Sequence, residues 1–376
     1  MKKTLLTICL VWMCFSLSAQ KIIDLSGKWS FSIDRQDNGE KEKWFSHTLN
    51  DFINLPGSMP EKLKGDEVTA KTQWTGSLYD SSYYYNPYME KYRKEGNIKF
   101  PFFLTPDKHY VGAAWYQKEV NIPADWKGER ILLFLERPHI ETTVWVNGQK
   151  TGMQNSLCVP HQYDITRYVR PGKCTITIRV DNRIKEINVG PDSHSITDQT
   201  QGNWNGIVGR ICLQTTPKTY FDDIQIYPEP EQKLARVKVV IKGTGTAKVK
   251  LSAESFNTDK KHIVPAIQQE IKLNKGVTET EMVLPMGNDM LLWDEFHPAL
   301  YKLKAEVTNG KKTEIKEIQF GIRRFEIKGK WFYVNGRKTQ LRGTVENCDF
   351  PLTGYAPMDV ESWERVFRIC RSYGLN

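Results

Sequence analysis

At 376 residues the chain exceeds a single domain of about 100–150 residues, so two or three domains are expected and a lone small module is excluded. Apolar residues make up 39% and charged residues 26%, with 11 Trp, 16 Tyr and 16 Phe, which excludes a disordered or collagen-like chain. The formal charge of +9 comes from both signs spread along the chain, with no basic block to serve as a nucleic-acid arm; it fits a solvated surface with mild attraction for acidic glycans or anionic membranes.

The N-terminus places Lys2 and Lys3 before an apolar run from Leu5 to Phe15, and then Ser16-Leu17-Ser18-Ala19-Gln20. This is the pattern of a secretory signal over 1–19, with cleavage expected after Ala19. The apolar run is shorter than the roughly 20 residues that span a bilayer, and no later run approaches that length. An exported protein without a membrane span is therefore expected, periplasmic or extracellular. Cys14 follows Met13, where a lipoprotein signal needs a small residue. Beyond the leader, Cys158, Cys174, Cys212, Cys348 and Cys370 are scattered without zinc spacing. Cys158 and Cys174 can pair across neighbouring strands, but scattered buried thiols are the preferred expectation.

From 20 to 217 short alternating runs are punctuated by turns. Examples are Thr142-Thr143-Val144-Trp145-Val146 before Asn147-Gly148, and Thr175-Ile176-Thr177-Ile178-Arg179-Val180. Period two with Asn-Gly at a tip is a hairpin signal. Nearly 200 residues of it without an amphipathic helix imply one large antiparallel sandwich of jelly-roll type. Residues 62–110 interrupt it as an insertion rich in tyrosine, including Tyr79, Tyr83, Tyr84, Tyr85, Tyr88 and Tyr92.

A second strand-rich region, 218–322, contains Arg236-Val237-Lys238-Val239-Val240-Ile241, Lys248-Val249-Lys250-Leu251 and Lys302-Leu303-Lys304-Ala305-Glu306-Val307. About 100 such residues fit an immunoglobulin-like sandwich, with Pro217 at the boundary. Gly243-Thr244-Gly245 lacks the third glycine and helix of a dinucleotide loop and reads as a hairpin turn.

Residues 323–376 change character. A hairpin with Asn335-Gly336 at its tip leads to Leu341-Arg342-Gly343 and a loop, then a helix capped by Asp359 at its start and Gly374 at its end. Val360, Trp363, Val366, Phe367, Cys370 and Tyr373 recur at helical spacing. A strand, a loop and such a helix make one β/α unit, whereas a closed barrel needs eight over about 250 residues. The expectation is that the chain is the front portion of a longer protein or the product of an interrupted reading frame. The fold class expected is mainly β: a jelly-roll-like sandwich, an immunoglobulin-like sandwich, and the first β/α unit of an incomplete TIM barrel.

Taken together these segments resemble the front half of glycoside hydrolase family 2, which contains β-galactosidases, β-glucuronidases and β-mannosidases. The resemblance rests on Trp115-Tyr116-Gln117-Lys118, Val144-Trp145-Val146-Asn147-Gly148, Tyr163-Asp164-Ile165-Thr166 and Trp204-Asn205-Gly206-Ile207-Val208-Gly209-Arg210 in the first region. Leu292-Trp293, Pro298-Ala299-Leu300-Tyr301 and Phe320-Gly321-Ile322-Arg323 carry it through the second, and Val334-Asn335-Gly336 with Leu341-Arg342-Gly343 into the third. Their shared order is more telling than any one string.

The resemblance implies a retaining glycosidase with a carbohydrate substrate, no cofactor, no metal and no nucleic-acid partner; self-association stays open. It implies substrate contacts from the loop 198–204, through Asp198, Asn203 and Trp204, with Asn205 a further polar group there. Contacts are also implied from the loop after the first barrel strand, through Arg342, Glu346, Asn347 and Asp349. Asn347 stands where the family usually carries His. Retaining chemistry needs two carboxyl groups about 5–5.5 Å apart, one acid and one nucleophile. In the family these are glutamates on later barrel strands, the acid following an Asn, and Asn-Glu occurs nowhere in these residues. No catalytic residue is assigned, and the chain alone is expected to be inactive. The alternative is a non-catalytic carbohydrate-binding or structural β-sandwich protein. Other motifs fall away: Asp34 to Gly39 resembles a calcium loop, but Phe45 stands where its last Glu belongs. The seven His are dispersed and there is no Gly-x-Ser-x-Gly elbow.

Overall fold

The computed structural model describes residues 20–75, 82–100, 104–185, 202–346 and 349–376. They group into two compact units: Pro217–Thr339 forms one, and Lys21–Thr216 with Gln340–Asn376 forms the other.

In the larger unit two antiparallel sheets face each other. The first runs Ile22–Asp24, Gly206–Thr216, Arg130–Pro138, His161–Asp164, with Gly57–Ser58 also on Gly206–Thr216. The second runs Gln149–Asn155, Glu141–Val146, Gly172–Asp181, Ala113–Ile122, Gly27–Asp34, Asp51–Leu55. Period two explains the layering. Along Ala113–Ile122, Ala114 and Tyr116 point into the core between the sheets, whereas Trp115 points outward to a second aromatic layer. There Trp115 meets Trp145 at 5.0 Å and Trp145 stacks on Phe45 at 5.2 Å, so residues 44–49 roof the outer face. Asp34 pins this roof: its carboxylate accepts from the Gly39 amide at 2.8 Å and Trp115 Nε1 at 2.9 Å. An oxygen engaged by two N–H donors suits a turn rather than a cation, and no group of three or more His, Cys, Asp or Glu among the described residues is placed to hold a metal.

The smaller unit is built on two 23-residue strands, Leu234–Phe256 and Ile263–Pro285, paired along their length. The first half of Leu234–Phe256 also pairs with Tyr220–Glu229, and its second half with Leu300–Asn309, beyond which lies Lys312–Phe320. Both halves send alternate residues, Val237 and Val239 from one and Val249 and Leu251 from the other, into a single buried cluster. A long bent strand shared by two faces thus gives the immunoglobulin-like core. One expectation fails here: Gly243-Thr244-Gly245 is a bulge within a continuous strand, not a hairpin turn. Gly245 adopts φ 85°, and a Cβ on Gly243 would lie 2.5 Å from Thr219 Oγ1, so glycine lets the strand bend and carry on.

The three-stranded meander Phe325–Lys328, Trp331–Val334, Arg337–Thr339 turns at Asn335 and Gly336, both at positive φ as a type I′ turn requires. After it, Leu341-Arg342-Gly343 is irregular rather than a strand. A parallel barrel strand needs neighbouring strands to bond, and no described strand pairs with it; the backbone of Arg342 bonds Asn376 instead. The last helix runs Val360–Ser372; the Asp359 carboxylate accepts from the Ser362 amide at 2.7 Å and Gly374 closes it at φ 79°. No helix among the described residues is long and apolar enough to cross a membrane. Cys158, Cys174, Cys212 and Cys370 are free thiols; Cys158 is exposed, contrary to the buried expectation, because it sits in a loop, while burial raises the Cys174 thiol to about 11.

Candidate functional site

Ladder register brings two distant aromatics together at one end of the larger unit. Ile207 pairs with Pro138, so the residues just beyond each strand end meet, and the His139 amide donates to Gly206 O at 3.3 Å. The His139 and Trp204 rings stack 4.5 Å apart at 16°. Gly206 lets Gly57–Ser58 pair closely with this strand end, since a Cβ there would lie 2.4 Å from Gly57 O. Asn205 fixes the loop by using its whole amide: it accepts from Tyr116 OH at 2.8 Å and donates to Gly112 O at 2.9 Å and Val180 O at 3.0 Å.

The loop 349–358 folds over this pair. Tyr355 packs on Trp204 at 5.5 Å, and its hydroxyl donates to Glu61 Oε2 at 2.8 Å. Ser58 Oγ donates to Thr353 O. Gly354, at φ 83°, lies so close that a Cβ would stand 2.7 Å from Trp204. Although burial opposes it, Lys62 and the Tyr355 hydroxyl hold the Glu61 carboxyl below its ordinary value.

Between the loops lies a pocket lined by Pro60, Leu104, Pro106, Asn203, Trp204, Asp349 and Phe350. Asn203 Nδ2 donates to Thr75 Oγ1 at 3.0 Å and Asn182 O at 2.9 Å, but Asn203 Oδ1 is buried without a hydrogen-bond partner. Asp349 Oδ1 is likewise buried and unpartnered, while the Asn203 side chain lies beside the His139 ring and weakly favours its charged form. Burial, then the charge of Arg137, lowers the His139 ring to about 3, so it is neutral at physiological pH. Burial, then the charge of Glu346, raises the Asp349 carboxyl. Unpartnered buried acceptors are costly, and two of them border one apolar pocket.

Residues 22–217 match the family described as "Glycosyl hydrolases family 2, sugar binding domain", and residues 219–323 match "Glycosyl hydrolases family 2". The chain belongs to glycoside hydrolase family 2. It is 24% identical over 355 residues to a β-glucuronidase of Paenibacillus borealis, covering 89% of this chain and 51% of that protein. To human β-glucuronidase it is 24% identical over 391 residues, covering 94% and 52%. To a β-galactosidase of Thermoanaerobacter pseudethanolicus it is 25% identical over 281 residues, covering 70% and 35%. The chain thus spans about half the length of the two β-glucuronidases. In structure it matches the crystal structure of Ruminococcus gnavus β-glucuronidase with a TM-score of 0.67 at 20% identity, over 96% of this chain and 54% of that one, a likeness of fold.

Within this family 2 chain the residues expected at the site separate. Asn203, Trp204 and Asp349 come together at the pocket. Trp204 is only 1% exposed, its faces largely taken by His139 and Tyr355. Arg342 lies apart from them: its Nε donates to Gly374 O at 2.5 Å and its amide to Asn376 Oδ1 at 2.8 Å, tying the loop to the end of the last helix. Glu346 is exposed and acts on Asp349 through charge. Asp198 and Asn347 lie outside the described residues. His139, Tyr355 and Glu61 were not anticipated, since nothing local in the sequence marks contacts that depend on register and on a loop some 150 residues away.

Proposed function

We propose that this protein is an exported β-glycosidase that hydrolyses O-glycosidic bonds of glycans by retaining double displacement. In this reading the chain supplies the sugar-binding face, and the acid and nucleophile glutamates come from barrel strands outside these residues, so the chain alone is inactive. The observation that carries it is a pocket walled by proline, leucine and aromatic surface and bordered by two buried acceptors, the unpartnered Asp349 Oδ1 and the oxygen of Asn203, which has only the His139 ring beside it. A ligand that satisfies both must donate two hydrogens while presenting an apolar face, which is the chemistry of a sugar ring with its hydroxyls. The β-glucuronidases and β-galactosidases among its relatives support the same class.

The test is turnover of a panel of 4-nitrophenyl β-glycosides, the glucuronide and galactoside first, by the full-length secreted product. Hydrolysis of at least one is expected, and Asn203→Ala should raise its KM about tenfold, the loss of one good hydrogen bond to a buried group. A folded full-length product that cleaves none of the panel ends this reading. The second reading is a binding protein without catalysis. It predicts saturable glycan binding with no turnover by any longer product.

A further inference from the structure

The loop that brings Asp349 to the pocket is fastened from outside itself. Within 349–358 the backbone turns back once, the Gly354 amide donating to Phe350 O at 2.6 Å, and its exit is tied where Trp363 Nε1 donates to Pro357 O at 2.8 Å. The outer fastening comes from residues 58–61, far earlier in the chain. Tyr355 OH donates to Glu61 Oε2 at 2.8 Å across 294 positions of sequence, and Ser58 Oγ donates to Thr353 O. These two bonds are joined at their base: Ser58 Oγ accepts from the Glu61 amide at 3.2 Å, and Lys62 Nζ holds the other Glu61 oxygen at 2.6 Å.

The base is itself tied to the other wall of the pocket. The Met59 amide donates to Asn205 O at 2.7 Å, and Gly57–Ser58 pairs with Gly206 and Ile207, so residues 57–61 share a frame with Asn203 and Trp204. The position of Asp349 relative to Asn203 is therefore set through Glu61 and Ser58. Tyr355 divides its work between the two walls: its ring packs on Trp204 at 5.5 Å and its hydroxyl reaches Glu61. Apolar packing is non-directional and lets a loop slide over its support, whereas a hydrogen bond to a carboxylate fixes one register and is stronger than a neutral one.

We propose that Tyr355 and Glu61 form a latch that holds the 349–358 loop closed against the pocket, and that both are positioning residues acting on the substrate through Asp349. This rests on the glycosidase reading above. With the latch broken the loop spends part of its time open, so apparent affinity falls in proportion to the closed fraction while the chemistry of the closed complex is unchanged. The experiment compares wild type, Tyr355→Phe, Glu61→Ala and Glu61→Gln in the full-length secreted product, with Tyr355→Phe also placed beside Asp349→Ala. One readout is kcat and KM on the 4-nitrophenyl β-glycoside it cleaves. The other is hydrogen exchange of the segment 350–358, which needs no turnover.

Tyr355→Phe keeps the ring on Trp204 and should raise KM about fivefold with kcat changed less than about twofold. Glu61→Ala should match it, and Glu61→Gln, whose amide oxygen still accepts, should stay near wild type. Beside Asp349→Ala, Tyr355→Phe should raise KM no further, a coupling that general loosening of the fold does not produce. The Gly354 amide should exchange about tenfold faster in Tyr355→Phe and Glu61→Ala, and at the wild-type rate in Glu61→Gln. If no glycoside is turned over but exchange follows this pattern, the glycosidase reading fails and the latch stands. Unchanged exchange in Tyr355→Phe overturns the latch. Faster exchange with an unchanged KM, or a KM effect that persists in full beside Asp349→Ala, overturns the positioning role.

Discussion

Burial of His139 beneath Trp204 makes protonation of its ring unfavourable, and that couples this end of the sandwich to pH. The folded value of about 3 lies below the unfolded value of about 6.5, so the unfolded chain takes up the proton first as pH falls. The stability this residue allows is fully present above about pH 6.5 and drains away toward pH 3. Between pH 7 and pH 5 the loss is about 2 kcal/mol. His139→Phe keeps a flat ring against Trp204 and cannot titrate, so its urea midpoint should fall correspondingly less over that interval; an unchanged pH dependence would contradict the buried neutral imidazole. Asp181 behaves with the same sign at lower pH. It is fully buried, and although burial alone would raise its carboxyl, Arg183 at 2.5 Å and Lys185 at 2.7 Å, with Arg179 at 2.9 Å, hold it far below the usual carboxylate range. Its contribution is present above about pH 4 and lost as pH falls further. Asp181→Asn leaves those cations facing a neutral amide and should cost about 3–5 kcal/mol at pH 7, read by urea denaturation.

At the scale of the element, the last helix shows how much local sequence can specify. Asp359 caps its first turn and Gly374 ends it in the left-handed region, both anticipated from residue type. Asp359→Ala should remove about 1 kcal/mol from the helix, seen as fraying in the circular dichroism melt. The Asn-Gly hairpins at 147–148 and 335–336 were equally legible, because only a few residues tolerate positive φ at both central positions. The long strands were not. Arg236 to Ile241 and Lys248 to Leu251 read as separate strands because Gly243 and Gly245 look like a turn, and only the partner Ile263–Pro285, bonded to both sides, shows that the chain continues. In the site, Asn203 and Trp204 were named from the family resemblance, and they meet at the pocket with Asp349. His139 was not, since its place under Trp204 follows from the pairing of Pro138 with Ile207 and from no property of its neighbours in sequence.

At the scale of the molecule, residues 22–217 and 219–323 carry the family 2 assignment, and the chain spans about half of its β-glucuronidase relatives. The sandwiches and their order were readable because period two and turn chemistry repeat over hundreds of residues; the sugar was not, because it depends on a few side chains converging from separate loops. Proton NMR of the anomeric signal during the first turnovers of a β-glycoside by the full-length protein tests the proposed activity most directly. Retaining hydrolysis predicts that the β-anomer of the free sugar appears first and then mutarotates. The α-anomer appearing first, or no sugar released by the folded protein, contradicts it.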